Sequence, residues 1–314
     1  MKENLIISVS PHQKEKPTTP MVMRGVIYAL IPAVIASIYY FKLRAFLLII
    51  VCIAGTILTE AVFQKLRRKT ITINDGSALL TGLLLALVLP PSLPLWVGFL
   101  GAVMAIVIGK QIFGGLGQNI FNPALIGRAF LMATFPVMLT TWIKPGIFDA
   151  VSTATPLSIM KFDKNITSTL YLFLGNTGGS LGETCAIALI IGAIFLLIKK
   201  YMDWRIPLSY IGTVLILSSV LYLIKPAQYA TPWFHLFAGG LMIGALFMAT
   251  DPVTSPVTKK GRYIFGVGCG ILVIIIRTWG GLPEGVMYSI LLMNAFTPLI
   301  NRYMVPVQFG GRKK

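Results

Sequence analysis

The sequence predicts an all-α integral membrane protein: ten transmembrane helices arranged as two inverted five-helix repeats, with broken helices near 77–94 and 239–256. Three observations predict it: apolar runs along the whole chain, a one-sided distribution of Lys and Arg, and a stretch that recurs in the second half. The chain of 314 residues is 56% hydrophobic and 12% charged, with a mean hydropathy of +0.81. A soluble domain carries about 25% charged residues. The first twenty residues, MKENLIISVSPHQKEKPTTP, are polar and lack the apolar core of a cleavable signal. The first span is therefore expected to serve as the insertion signal.

Crossing a bilayer takes about 20 mostly apolar residues. Spans one and two cover 22–41 and 45–64, and Glu60 lies near the inner end of span two. Span three, 77–92, is short and ends in LPPSLP. Span four, 95–113, runs into the Gly-rich FGGLGQN (113–119), and span five, 120–138, carries Arg128. Span six, 182–200, follows SLGE (180–183), which fits a capping box with Ser180 as N-cap and Glu183 reaching back. Span seven is 206–224, and span eight, 232–250, ends in ATDPVTSP. Spans nine and ten are 263–279 and 284–303. Short spans bounded by proline are candidates for discontinuous helices lining a cavity. The expected organisation is an N-terminal segment 1–21, a first repeat 22–138, a loop 139–181, a second repeat 182–304 and a basic tail 305–314.

Orientation follows from the basic residues. With Met1 inside, the inner segments hold nineteen Lys and Arg: Lys2, Lys14, Lys16, Arg24, Lys65, Arg67, Arg68, Lys69, Lys110, Lys199, Lys200, Arg205, Lys259, Lys260, Arg262, Arg302, Arg312, Lys313 and Lys314. The outer segments hold seven: Lys42, Arg44, Lys144, Lys161, Lys164, Lys225 and Arg277. Both termini are thus expected in the cytoplasm and the 139–181 loop outside. The net charge of +17 is read as topology rather than nucleic-acid binding, because no basic motif interleaved with aromatics accompanies it.

The repeat aligns TGLLLALVLPPSLP (81–94) with IGALFMATDPVTSP (243–256), matching Gly82 to Gly244, Pro90 to Pro252 and Pro94 to Pro256. After a four-residue insertion, IFGGLGQNIFNPALIGRAF (112–130) aligns with TWGGLPEGVMYSILLMNAF (278–296). Five spans per repeat force opposite orientations, and such folds place their sites where the halves meet.

Ionisable residues inside the membrane point to function by default. Arg128 is a candidate to pair with a flavin ring, a phosphate or a carboxylate, or within the bundle. Glu60 and Asp251 are candidates for an ion pathway. Asp251 alternatively caps a half-helix, and Glu284 stands beside them as a further candidate. FGGLGQN is neither a dinucleotide fingerprint nor a Walker loop, since Ile120 stands where the third Gly would be. It reads as backbone approaching a ligand or as tight packing between spans. Cys52, Cys185 and Cys269 form no CxxC, and His12 and His235 are isolated. No iron–sulfur cluster, metal site or Ser-His-Asp arrangement is expected in this chain.

One polar run stands out: DAVSTATPLS, Asp149 to Ser158. Pro156 biases Thr155 to extended backbone, which is expected to turn its hydroxyl outward, with the small Ala154 leaving room for an approaching enzyme. DAVSTAT resembles the flavinylation motif D-x-x-[ST]-x-[AG]-[ST], whose last Ser or Thr receives FMN through a phosphoester. SPHQ (10–13), DGSALLTGLLLALVLPPSLPLW (75–96), GKQIFGGLGQNIFNPALIGRAF (109–130), GETCAIAL (182–189) and ATDPVTSPVTKKGR (249–262) extend the likeness over nearly the whole chain. Together they resemble the D subunits of Rnf complexes. These complexes are ferredoxin:NAD+ oxidoreductases that couple electron transfer to ion translocation. The B subunits of Na+-translocating NADH:quinone oxidoreductases are similar but carry a longer cytoplasmic N-terminus.

The resemblance implies covalent FMN on Thr155 at the outer face, with Asp149, Ser152 and Ala154 as motif residues and Arg128, Asn119 and Asn122 as further flavin-binding candidates. It implies a flavin transferase using FAD, and by analogy with the similar B subunit a second, noncovalent flavin, riboflavin. The A, B, C, E and G subunits, as partners, would supply the iron–sulfur clusters, the NAD site and ferredoxin docking. The translocated ion would be Na+ or H+, and the place the inner membrane of a prokaryote. The alternatives are a channel or transporter of a small polar solute or flavin with the same repeat, and a structural scaffold keeping a vestigial motif.

Overall fold

The computed structural model describes residues 18–143, 152–163, 165, 167–175, 177–183, 185–226 and 228–305. Asp149 lies outside them. Helix α1, Thr19–Leu66, holds the first two expected spans, and it breaks at Lys42, where φ is 51° and ψ is −133°. The two arms return to the same end. Gly76 sits against Met23 and Ile27 of the first arm, and the adjacent Ser77 shares the Lys110 ammonium with Glu60 of the second. Non-helical backbone at the single residue Lys42 thus folds one apolar run into a hairpin.

Helix α2, Ser77–Leu87, is the third expected span cut to eleven residues, nine of them buried. Its apolar side chains face protein all round, as a half-helix in the middle of a bundle must. The chain then breaks at LPPSLP before α3, Leu95–Ile106, which continues as the π-helical turn Val107–Gln111. Glycines 114, 115 and 117 of the following loop have φ of 123°, 116° and 92°, backbone that favours glycine. Helix α4, Pro123–Thr134, starts on an Asn122 cap whose side chain accepts the N–H groups of Ala124 and Leu125. A short α5, Pro136–Thr140, follows, so the fifth expected span is interrupted at Phe135.

A two-residue ribbon pairs β1, Trp142–Ile143, antiparallel with β2, Ser152–Thr153, with Trp142 opposite Thr153. It leads to α6, Pro156–Ser158, a π-helical turn, Ile159–Asp163, and α7, Thr169–Leu174. Helix α8 is Ala186–Ile198 and α9 is Arg205–Ile224. The eighth expected span is again broken, into α10, Pro232–Phe237, and α11, Leu241–Ile243, the latter prolonged as a π-helix, Gly244–Met248. The long α12, Lys259–Trp279, and α13, Val286–Tyr303, close the bundle.

Among the described residues three helices are long and apolar enough to cross a membrane by length and composition: Thr19–Leu66, Arg205–Ile224 and Lys259–Trp279. The apolar α2, α3, α4 and α8 are shorter. Large apolar side chains cover the outer faces of the long helices, Ile35, Ile216 and Leu223 among them. A bilayer suits that surface and water does not.

The breaks are satisfied across the sequence halves. The N–H groups of Leu181 and Gly182 donate to the carbonyls of Leu89 and Leu87, at 3.1 and 2.6 Å. The Asn122 amide donates 3.2 Å to the Met248 carbonyl, at the end of the other half-helix. Inside a bilayer a broken helix persists only where such partners replace the lost ladder. Two lysine and arginine assignments change here. Lys110, counted with the cytoplasmic connections, is buried in the π-helical end of α3, and Arg277, counted outside, is buried at the end of α12. Both charges find partners within the protein rather than in water. The SLGE box also changes: Ser180 N–H donates to the Glu183 carboxylate at 3.4 Å, but the residues form a turn and the helix starts only at Ala186.

Candidate functional site

Thr155 is extended, with φ −66° and ψ 155°, as a residue before proline is expected to be. Its hydroxyl does not point outward. Thr155 is only 4% exposed. Its Oγ1 caps the short α6, accepting the Ser158 N–H at 3.2 Å and sharing a 2.8 Å hydrogen bond with the Ser158 hydroxyl. The expectation failed because a Thr at the position before a helical turn has a free backbone N–H within reach, and capping it draws the side chain inward. Ala154, one residue earlier, is the exposed one. Ser152 lies in β2.

Two anchors fix this segment. Leu157 packs with Leu172, Ala230, Phe234 and Ala238. Lys161 reaches the C-terminal end of α12 and donates to the carbonyls of Gly280 at 2.5 Å, Leu282 at 3.0 Å and Ile276 at 3.4 Å. An ammonium is the favourable charge there. Burial lowers the Lys161 pKa from the ordinary lysine value.

Thr155 and Ser158 line a cleft together with Arg128, Glu284, Trp142 and Tyr288. Arg128 comes from α4 in the first half, and Glu284 from the approach to α13 in the second. Their side chains meet at 2.6 Å, Arg128 Nη2 to Glu284 Oε2. Glu183 stands 3.9 Å from the other guanidinium nitrogen. Arg277 sits close by, with Nη2 beside Gly239 and two donations, to the carbonyls of His235 at 2.6 Å and Ala238 at 2.9 Å. Gly240 admits the Glu183 carboxylate, since a Cβ there would lie 3.0 Å from Oε1. Among the described residues Arg128 Nε and Glu284 Oε1 are buried without a hydrogen-bond partner. Buried groups of that kind are costly unless something completes them.

The other candidates lie elsewhere. Asn122 and Asp251 line an inner cavity with Ser77, Thr81, Thr250 and Phe247. Asp251 accepts the Val253 N–H at 3.2 Å and the Thr254 hydroxyl at 3.3 Å, capping the turn after the half-helix. Asn119 is buried, donates 3.2 Å to the Phe121 carbonyl, and lines neither cavity. Glu60 is bound into a network. Lys110 Nζ donates to both its oxygens at 2.7 and 2.8 Å and to Ser77 Oγ at 2.5 Å, while Gln111 and Gln64 each donate to Oε1 at 3.1 Å. Ser77 joins this network to the wall of the inner cavity.

The structure thus brings Arg128 and Thr155 together, places Asn122 with Asp251, and leaves Glu60 in its own cluster, one hydroxyl away from the second group. Sequence reasoning did not find Ser158, Lys110 or Lys161. A lone Lys in the apolar GAVMAIVIGKQIFGG opposite an intramembrane Glu was the available signal for Lys110.

A model of the NQR2, RnfD, RnfE family matches residues 6–310. The chain belongs to this family. Relatives within it cover it end to end. The D subunit of the proton-translocating ferredoxin:NAD(+) oxidoreductase complex of Clostridium ljungdahlii is 48% identical over 100% of this chain and 98% of its own. The D subunit of the Na(+)-translocating ferredoxin:NAD(+) oxidoreductase complex of Acetobacterium woodii is 47% identical over 99% and 96%. The D subunit of the ion-translocating oxidoreductase complex of Stutzerimonas stutzeri is 39% identical over 92% and 91%. Family members at nearly equal identity therefore carry names with different ions.

Proposed function

We propose that the chain is the D subunit of an ion-translocating ferredoxin:NAD+ oxidoreductase complex in a prokaryotic plasma membrane, carrying FMN in phosphoester linkage on Thr155. One observation carries the reading: the last threonine of DAVSTAT shares a cleft with Arg128 and Glu284, one from each half of the chain. The residues there fit the group. A hydroxyl serves as acceptor, a guanidinium with a free Nε faces a phosphodiester or a ring carbonyl edge, and Trp142 and Tyr288 give flat walls. Bound FMN would supply one- and two-electron redox chemistry. The chain's own part is to anchor, orient and shield it. A separate flavin transferase, drawing on FAD, attaches it, and the A, B, C, E and G subunits complete the complex.

In this reading the ten spans form an inverted five-plus-five repeat with both termini cytoplasmic and the Thr155 loop outside. A second flavin, riboflavin, is assigned to the cavity beside Asn122 and Asp251, whose polar edge suits it. Glu60 and Asp251 are the ion-pathway candidates. Glu60 would have to leave Lys110 before it could take a cation.

The deciding experiment is a denaturing gel under ultraviolet light of the chain co-expressed with its transferase. The wild-type band fluoresces, Thr155→Ala is dark, and Thr155→Ser, which keeps a hydroxyl, retains a band. A dark wild-type band removes the redox reading and leaves the transporter or scaffold alternatives. Riboflavin extracted from undenatured T155A protein supports the second site. Maleimide labelling from outside at N165C, and only after permeabilisation at K314C, tests the topology. Undiminished ion transport by proteoliposomes of the complex carrying E60Q and D251N would rule those residues out.

A further inference from the structure

At the end where α1 begins and α8 ends, the two helices enclose a groove with about 720 Å³ of open space. Its origin is steric. The helices cross in backbone contact, where a Cβ on Gly192 would collide with the Ala29 carbonyl. Toward Gly25 the Tyr201 ring is wedged between them, only 2.5 Å from where a Gly25 Cβ would stand. The groove opens on the outer side of that ring. Its banks follow helical spacing. Met21, Arg24 and Tyr28 line it from α1, Phe195 from α8, and Lys199 from the C-cap of α8.

Arg24 and Lys199 are exposed and face one groove. Among the described residues neither lies within ion-pair distance of a carboxylate. Asp203 is taken by Arg205 and Arg262. Beyond the cations and Thr18 the walls are apolar or aromatic: Met21 and Tyr28 are 52% and 59% exposed. Two cations with no carboxylate partner among the described residues, at the mouth of a largely apolar groove and at the ends of two apolar helices, complement an amphiphile with a negative headgroup.

We propose that this groove holds one anionic glycerophospholipid, its phosphodiester between Arg24 and Lys199 and an acyl chain along Tyr28 and Phe195. The inference is independent of the flavin reading. Residues of this kind beside a membrane contribute about 1 kcal/mol each, so two of them favour an anionic over a zwitterionic lipid by at least about tenfold.

The test is native mass spectrometry of the full-length chain in detergent, titrated with dioleoylphosphatidylglycerol, dioleoylphosphatidylcholine or inorganic phosphate. The wild type should retain phosphatidylglycerol at least about tenfold better than phosphatidylcholine. R24Q/K199Q should bind both lipids alike, R24K/K199R should keep the preference, and K259Q/K260Q, with two lysines removed elsewhere, should match the wild type. Equal preference in R24Q/K199Q and wild type would overturn the proposal. So would displacement of the lipid by inorganic phosphate, which would make the groove a free-phosphate site. A wild type with no preference would also overturn it and leave the groove to a partner protein or to residues 1–17.

Discussion

The Glu60–Lys110 pair shows what a single side chain does in this protein. Each group is 1% exposed, and each would be an isolated charge without the other. Removing one partner of a buried pair costs about 3–5 kcal/mol, whereas replacing both with apolar groups is often neutral. K110M and E60Q are therefore each expected to lower the unfolding midpoint in detergent markedly, and E60L/K110M to recover most of the loss. Equal damage from the double variant would show that Ser77, Gln64 and Gln111, not the charge pair, hold the network. At the cleft proposed to hold the flavin, the Arg128–Glu284 pair gives a prediction with opposite signs. R128Q removes positive charge beside the bound group and should lower its midpoint potential, while E284Q removes negative charge and should raise it. Shifts of the same sign in a spectroelectrochemical titration would mean that the two residues act only through packing.

At the scale of elements, the two broken half-helices decide the architecture. Their terminal carbonyls are taken by groups from distant segments. Asn122 both caps α4 and donates to Met248. N122A is expected to cost about 1–2 kcal/mol for the lost cap, plus the penalty of an orphaned carbonyl. N122D keeps the cap acceptor but not the donor, so its midpoint should fall between the two. Gly182 makes the matching contact at Leu87. A Cβ there would lie 2.8 Å from Ile243 and 3.0 Å from the Leu87 carbonyl oxygen. G182A is thus expected to push the 180–183 turn off the α2 end and increase proteolysis between α7 and α8. The proline and glycine spacing in the sequence pointed to both breaks. It did not point to their partners, because Asn122 and Gly182 are ordinary residues until the fold brings Asn122 to Met248, 126 residues away, and Gly182 to Leu87.

Over the whole molecule, cohesion comes from apolar packing inside and a few ties at the rim. One tie joins the α8–α9 connection to the start of α12. Asp203 accepts the Arg205 N–H at 2.9 Å and pairs with the guanidinium groups of Arg205 and Arg262. Burial raises the Asp203 pKa, but those hydrogen bonds and charges outweigh it, so the net pKa lies below the ordinary 3.8. A depressed carboxylate stabilises the fold above its unfolded pKa and loses that contribution as pH falls through the folded value. The tie should be fully present at neutral pH and down to about pH 5, then fail below 3.8. D203N should be less stable than wild type at pH 7 and converge on it in acid. A constant difference across the pH range would exclude the linkage.

The sequence by itself determined the class of protein, the apolar stretches and the two breaks. These rest on composition, local periodicity and short motifs, which are properties of neighbours along the chain. Only the tertiary structure decided that Thr155 faces inward, that Lys110 and Arg277 are buried, and that Arg128 meets Glu284 across the halves. The free energy of a buried charge or hydroxyl depends on what stands 3 Å away in space, and those partners come from residues far apart in the chain or from a capping N–H whose availability the fold sets.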